Sequence, residues 1–70
     1  MGILRGNMSK LTKVTFIGWF KSGEMFTKDI MLSADREEIE WVAVQLAEVN
    51  KALVKAFVND EKVFEADFRG

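Results

Sequence analysis

The chain contains no cysteine, no histidine and no proline. The absence of cysteine excludes disulfides and thiolate metal sites. The absence of histidine removes the commonest zinc ligand and the usual acid–base group near neutral pH. Serines 9, 22 and 33 therefore have no histidine base, and Gly18 and Gly23 form no phosphate-binding loop. We predict a protein that is not an enzyme and that has no catalytic, cofactor-binding or metal site.

Long apolar runs are also absent. No run approaches the roughly 20 residues that a membrane-spanning helix needs, and the first residues lack the apolar stretch of a signal peptide. The sequence thus predicts a cytoplasmic protein with no membrane partner. Residues 1–9 are expected to be a flexible tail or an expression remnant, and residues 10–70 a single domain.

What the chain does contain is a large apolar fraction for its size. Its 70 residues are 49% hydrophobic and 30% charged, with a net charge of −1. A core in a chain this short supplies on the order of 3–5 kcal/mol of stability, because chain entropy nearly cancels burial. With disulfides and thiolate metal sites excluded, association is the remaining source of stability. We therefore predict a homo-oligomer, a dimer or larger, or a complex with another protein.

Residues 10–32 have the composition of a β-hairpin. β-Branched and aromatic residues precede Ser22-Gly23, a pair suited to a two-residue turn because glycine tolerates positive φ. This turn would pair Lys21 with Glu24. Both faces of such a hairpin are apolar. One holds Leu11, Ile17, Trp19, Phe26, Ile30 and Leu32, and the other holds Val14, Phe16, Phe20, Met25 and Met31.

Residues that follow Ser33 have the pattern of a helix. Ser33 or Asp35 can cap the first turn, where acidic residues suit the helix dipole. Apolar residues then recur at helical spacing and predict a buried stripe centred near Leu46; they are Ile39, Val42, Ala43, Leu46 and Val49. Trp41 and Val44 lie outside this stripe. Trp41 is either exposed or covered along the helix flank by the stems of Glu37 and Gln45.

The segment after Asn50 allows two interpretations. The helix can continue to about residue 57, which gives a ββαβ order. Alternatively, Asn50 ends the helix, and residues 53–68 form a second hairpin that pairs Val58 with Val63. That pairing places Leu53, Phe57, Phe64, Ala66 and Phe68 on one face. We favour the hairpin, and so predict an α+β fold: a small ββαββ domain in which antiparallel hairpins form one sheet with a single helix packed on one face.

A single helix covers only one face of a sheet, so one apolar face of the first hairpin is left for a partner. The candidate interaction surface comprises Phe16, Trp19, Phe20, Met25, Phe26, Met31, Trp41 and Val44. We predict a protein-interaction module that associates with itself or occludes a larger protein. Small chains of this kind are typical of regulators and inhibitors from phages and mobile elements.

The alternative function is binding of single-stranded nucleic acid. Residues 1–28 carry five basic side chains against one acidic, and aromatic side chains on a sheet can stack on bases. The candidate contacts for this alternative are Lys13, Trp19, Lys21, Phe26 and Lys28. It requires that these side chains share one uncovered face.

Overall fold

The computed structural model describes residues 11–33 and 35–70. Within them the chain forms β1 (Leu11–Phe20), β2 (Met25–Ser33), α1 (Arg36–Asn50), β3 (Ala52–Val58) and β4 (Glu61–Asp67). The strands make one antiparallel sheet in the order β2-β1-β3-β4. The predicted ββαββ fold is confirmed, and the longer helix is excluded because residues 52–58 form β3. The predicted tail at residues 1–9 lies outside the described residues.

The limits of α1 follow from its capping residues. Asp35 is the N-cap, and its carboxylate accepts a hydrogen bond of 3.0 Å from the Glu37 amide. Ser33 donates its hydroxyl to Glu38 at 2.8 Å, which ties the end of β2 to the first turn. The helix ends where Lys51 adopts a left-handed conformation, φ 51°. The left-handed residue is thus Lys51 and not Asn50.

The buried side of α1 differs from the predicted stripe. Ile39, Ala43 and Ala47 are buried, whereas Leu46 is only half-buried and Val49 is 76% exposed. At 100° per residue, the buried line is rotated by roughly 70° from the stripe centred near Leu46. Alanines allow the helix axis to come close to the sheet, so the helix turns its small residues inward. The predicted burial of Val49 is wrong for this reason.

The first hairpin closes through three residues, not two. The Phe20 amide donates to the Glu24 carbonyl at 2.7 Å, and Gly23, at φ 99°, donates to Phe20 at 2.9 Å. Trp19 therefore pairs with Met25, one position away from the predicted register. A shift of one residue moves every β2 side chain to the other face. As a result Phe26, Ile30 and Leu32 lie on the helix side with Val14 and Phe16, and Met25 and Met31 lie on the side away from α1.

The second hairpin also differs in register. Asn59 and Asp60 both have positive φ, 52° and 66°, which is the conformation of a type I′ turn. Val58 pairs with Glu61, and a bulge follows between Ala56 and Phe57. The predicted pairing of Val58 with Val63 is thus wrong. Leu53 and Phe57 lie on the side of the sheet away from α1, whereas Phe64 and Ala66 lie on the side that faces α1.

The core lies between α1 and the middle of the sheet. It contains Val14, Phe16, Ile39, Ala43, Ala47, Val54, Ala56 and Ala66. The helix lies chiefly over β3 and β4 and reaches β1 and β2 only at its margin. The other side of the sheet is not covered by any element of the described residues. Across residues 11–33 and 35–70, no helix has the length and apolar character to span a membrane.

Candidate interaction surfaces

The side of the sheet away from α1 is called the open face. Strand pairing places its side chains, which are Leu11, Lys13, Thr15, Ile17, Trp19, Met25, Thr27, Asp29, Met31, Leu53, Lys55, Phe57, Lys62, Glu65 and Asp67. Its apolar residues on β2 remain in solvent, since Met25 is 56% exposed and Met31 is 54% exposed. The open face is therefore an apolar surface that residues 11–33 and 35–70 do not bury.

Trp19 lies on the open face near the end of β1 that leads into the hairpin loop. It is flanked in register by Met25 on one side and Leu53 on the other. The ammonium of Lys55 lies 5.3 Å from the centre of the indole ring, within the range of a cation–π contact. The ring is half-buried by these neighbours. Trp19 thus sits in a defined place and still presents part of its surface.

Four of the six charged groups of the open face have local polar partners, namely Asp29, Lys62, Glu65 and Asp67. Asp29 accepts a hydrogen bond from the Thr15 hydroxyl at 2.9 Å, and Lys62 donates to Glu65 at 2.9 Å. The Lys62 ammonium holds the pKa of Glu65 below its ordinary value. Hydrogen bonds from Arg69 likewise lower the pKa of Asp67. Because these groups are exposed, solvent and salt screen the pairs and they contribute little to stability.

A second apolar surface lies between the outer side of α1 and β4. We call it the helix surface, and it consists of Glu37, Glu40, Trp41, Val44 and Phe64. Trp41 is 65% exposed, as its position opposite the buried side of α1 requires. Two carboxylates border the ring, so the surface is apolar at its centre and acidic at its margin.

Arg36 joins the helix to β4 beside this surface. Its guanidinium donates to Glu40 at 3.0 Å and to the Val63 carbonyl at 3.3 Å. The second bond spans 27 residues of sequence and satisfies a carbonyl on an edge strand. These contacts link the first turn of α1 to β4 beside the helix surface. Because the Arg36 side chain is 74% exposed, they contribute little to stability.

The predicted interaction residues are divided among three places. Trp19, Met25 and Met31 lie on the open face, and Trp41 and Val44 lie on the helix surface. Phe16 is fully buried in the core, so its place in a surface is wrong: β1 turns its even-numbered residues towards α1. Phe20 and Phe26 lie on the helix side near the hairpin loop, with ring centres 5.3 Å apart. Each is half-buried against the other rather than free for a partner.

The nucleic-acid alternative is not supported by the placement of its residues. Lys13 and Trp19 are on the open face, while Phe26 and Lys28 are on the opposite side of the sheet and Lys21 is in the hairpin loop. The predicted stacking pair, Trp19 and Phe26, is separated by the sheet itself. The register shift in the first hairpin is the cause.

Sequence reasoning missed five apolar residues of these surfaces. Leu11, Ile17, Leu53 and Phe57 belong to the open face, and Phe64 belongs to the helix surface. The alternation of Ile17 with Trp19 already placed Ile17 correctly, but no local signal marks the bulge that separates Phe57 from Phe64. Among the residues that the structure describes, no group of three or more acidic side chains is arranged to hold a metal ion.

Comparison with protein families and curated proteins gives two matches. A family model described as "Dmd: Discriminator of mRNA degradation" matches residues 9–70. Antitoxin Dmd of Enterobacteria phage T4 is 56% identical over 61 residues, which cover 87% of this chain and 98% of the relative.

Two solved structures are also similar. Dmd from phage RB69 has 94% sequence identity and a TM-score of 0.85, covering 89% of this chain and 100% of its own. The structure of the Escherichia coli toxin LsoA in complex with T4 phage antitoxin Dmd matches with 54% identity and a TM-score of 0.79. It covers 84% of this chain and 100% of the matched chain.

Proposed function

Since this chain belongs to the Dmd family, Discriminator of mRNA degradation, we propose that it is an antitoxin that binds a bacterial protein toxin and blocks it. The T4 relative is an antitoxin whose structure is known in complex with the toxin LsoA. The proposal extends that role to this chain, as a phage protein that acts in the cytoplasm of the host. The sequence alone also predicts a small protein-binding regulator or inhibitor of phage type.

Inhibition in this proposal is stoichiometric and non-catalytic. The described residues provide two apolar surfaces and no cluster of metal-binding side chains. Such a protein can stop an enzyme only by occupying a site or by holding an unproductive conformation. One molecule of the chain then neutralises one molecule of toxin, and neutralisation persists only while the complex lasts.

Trp41 is the residue that we assign to the toxin contact. A tryptophan that is 65% exposed on a capped helix carries a large apolar area at little entropic cost on binding. Glu37 and Glu40 border it, and Glu40 also pairs with Arg36 at 3.0 Å. Such an acidic border favours basic or hydrogen-bond-donating groups on the toxin. The exposure of Trp41 is the observation that carries this assignment.

The direct test is complex formation with the toxin LsoA, with T4 antitoxin Dmd as the positive control. The two proteins would be co-expressed, purified through a tag on the toxin and examined by size-exclusion chromatography with light scattering. We expect a stable one-to-one complex and restored growth of toxin-expressing cells, with slower decay of bulk mRNA. Absence of both under conditions where the T4 protein binds and protects would overturn the proposal for this toxin.

A further inference from the structure

Strand pairing arranges the open face in three rows that cross all four strands. From β2 to β4, the rows are Met25–Trp19–Leu53–Asp67, Thr27–Ile17–Lys55–Glu65 and Asp29–Thr15–Phe57–Lys62. At least one of the two central strands carries an apolar residue in every row, and in the first row both do. Charged residues lie mostly on the outer strands, and the β2 border also carries Met25 and Met31.

The charges of the open face balance. Its three lysines are matched by three carboxylates. The lysines are Lys13, Lys55 and Lys62, and the carboxylates are Asp29, Glu65 and Asp67. A strongly basic or strongly acidic partner gains no general attraction from such a surface. A second copy of the same face meets no net repulsion. In this respect the open face differs from the helix surface, whose border carries two carboxylates.

Two of the three rows contain a self-complementary pair, Trp19 with Leu53 and Asp29 with Lys62. Two copies stacked face to face, about 10 Å apart, can be related by a two-fold axis that runs along the strands between β1 and β3. That axis places β1 of one copy over β3 of the other and β2 over β4. Trp19 then meets Leu53 of the second copy, and Asp29 at one border meets Lys62 at the other. Symmetry produces each of these contacts twice.

From this pattern we propose that the open face binds a second copy of the chain. The apolar centre, with Trp19 against Leu53, excludes water, and the two Asp29–Lys62 pairs fix the register of the copies. The helix surface lies on the other side of each protomer, so it stays accessible in the dimer. This inference is independent of the proposed antitoxin function, and each can fail without the other.

The test reverses the charges of Asp29 and Lys62, the pair proposed to fix the register of the two copies. Sedimentation equilibrium of the full chain would measure the dimer dissociation constant for wild type, Asp29→Lys, Lys62→Asp and an equimolar mixture of the two variants. Each variant alone opposes like charges twice, so we expect dissociation constants raised by about tenfold or more. In the mixture, the side chain introduced by Asp29→Lys faces the one introduced by Lys62→Asp, and native Asp29 faces native Lys62. The mixed dimer should recover to within about threefold of wild type.

Lys28→Asp is the matched control, because Lys28 is adjacent to Asp29 on the same edge strand but lies on the opposite side of the sheet. This charge reversal should leave the dissociation constant unchanged. Far-ultraviolet circular dichroism and binding to LsoA would verify that every variant is folded. A wild-type chain that remains monomeric at millimolar concentration overturns the inference. So does a mixture that dissociates as readily as the single variants, or an effect of Lys28→Asp equal to theirs.

Discussion

Gly18 lies directly opposite Phe26 in the first hairpin, and the ring of Phe26 lies over the place where a side chain at Gly18 would be. A methyl group at residue 18 would overlap three atoms of that ring. Gly18 is itself buried. The glycine therefore leaves the space that the Phe26 ring occupies. Its role does not depend on an unusual backbone conformation.

We expect Gly18→Ala to destabilise the domain by about 1–3 kcal/mol, because the Phe26 ring must leave its position and the contact with Phe20. Urea unfolding followed by circular dichroism measures the change. The cost should shrink by at least about half when Phe26 is also replaced by alanine, since the clash is then removed. Equal costs of Gly18→Ala in both backgrounds would contradict this account.

Ile39→Ala and Val49→Ala should separate the observed helix face from the predicted one. Ile39 is buried, so its truncation should cost about 2–5 kcal/mol, enough to unfold much of a domain this small. Val49 is 76% exposed, and its truncation should change stability by less than about 0.5 kcal/mol. Thermal unfolding of both variants provides the comparison, and similar losses would mean that the helix is oriented as the sequence pattern suggested.

The two tryptophans should have opposite effects on two kinds of binding. Trp41→Ala should weaken toxin binding by about 2 kcal/mol or more, roughly thirtyfold, because a large exposed anchor is lost. It should leave self-association unchanged. Trp19→Ala should raise the dimer dissociation constant by at least about tenfold and leave toxin binding unchanged.

Isothermal titration calorimetry with LsoA and sedimentation equilibrium measure these two quantities for each variant. Each tryptophan is the control for the other, since both are replaced by the same residue in the same fold. A loss of toxin binding in Trp19→Ala but not in Trp41→Ala would place the toxin on the open face and refute both surface assignments.

Lys51→Gly should stabilise the protein. Lys51 has φ 51° at the end of α1, where a side chain is strained and glycine is not. The expected gain is about 0.5–1 kcal/mol, measured as an increase in the urea midpoint. Lys51→Ala keeps the strain and is the control for removing the charge. A gain of the same size in Lys51→Ala would assign the effect to charge and not to backbone conformation.

The sequence predicts the elements of this fold well because each has a strong local signal. Asp35 and the acidic residues after it mark the helix start, and the β-branched run of β1 marks a strand. The Asn59-Asp60 pair tolerates positive φ at both turn positions, a signal for a two-residue turn that the predicted Val58–Val63 pairing did not use. These signals depend on residues within one turn of each other, and so they survive without tertiary context.

The faces of the strands were less predictable. Both faces of the first hairpin are apolar, so no alternation of polar and apolar residues fixes the register. The choice of register then depended on the loop. Ser22-Gly23 suits a two-residue turn, and Gly23 suits the observed three-residue loop equally well. The division of the β1 side chains between the two faces, with Ile17 beside Trp19, was predicted correctly. The β2 side chains were assigned to the wrong faces. This reversal placed Phe26 beside Trp19 and made the nucleic-acid alternative look better than the structure allows.

The helix face was misjudged because large side chains dominate an apolar pattern. Leu46 and Val49 outweigh Ala43 and Ala47 in any measure of hydrophobicity, yet the alanines are buried. A helix that packs closely on a sheet needs small residues at the contact. That requirement depends on the sheet beneath it and is not visible in the helix alone. Trp41 was placed correctly because it lies nearly opposite both the predicted and the observed buried sides.

The close contact between helix and sheet through Ala43, Ala47, Ala56 and Ala66 determines how this sequence can change over evolution. Enlarging a side chain in a packed core forces strain or a shift of the neighbouring elements and typically costs about 1–3 kcal/mol. Here there are few methylenes to remove, and an outward shift of α1 would separate Arg36 from the β4 carbonyl that it holds. A library of random variants should therefore tolerate glycine or serine at these four positions more often than leucine or phenylalanine. At these positions, larger side chains are therefore excluded more strictly than smaller ones.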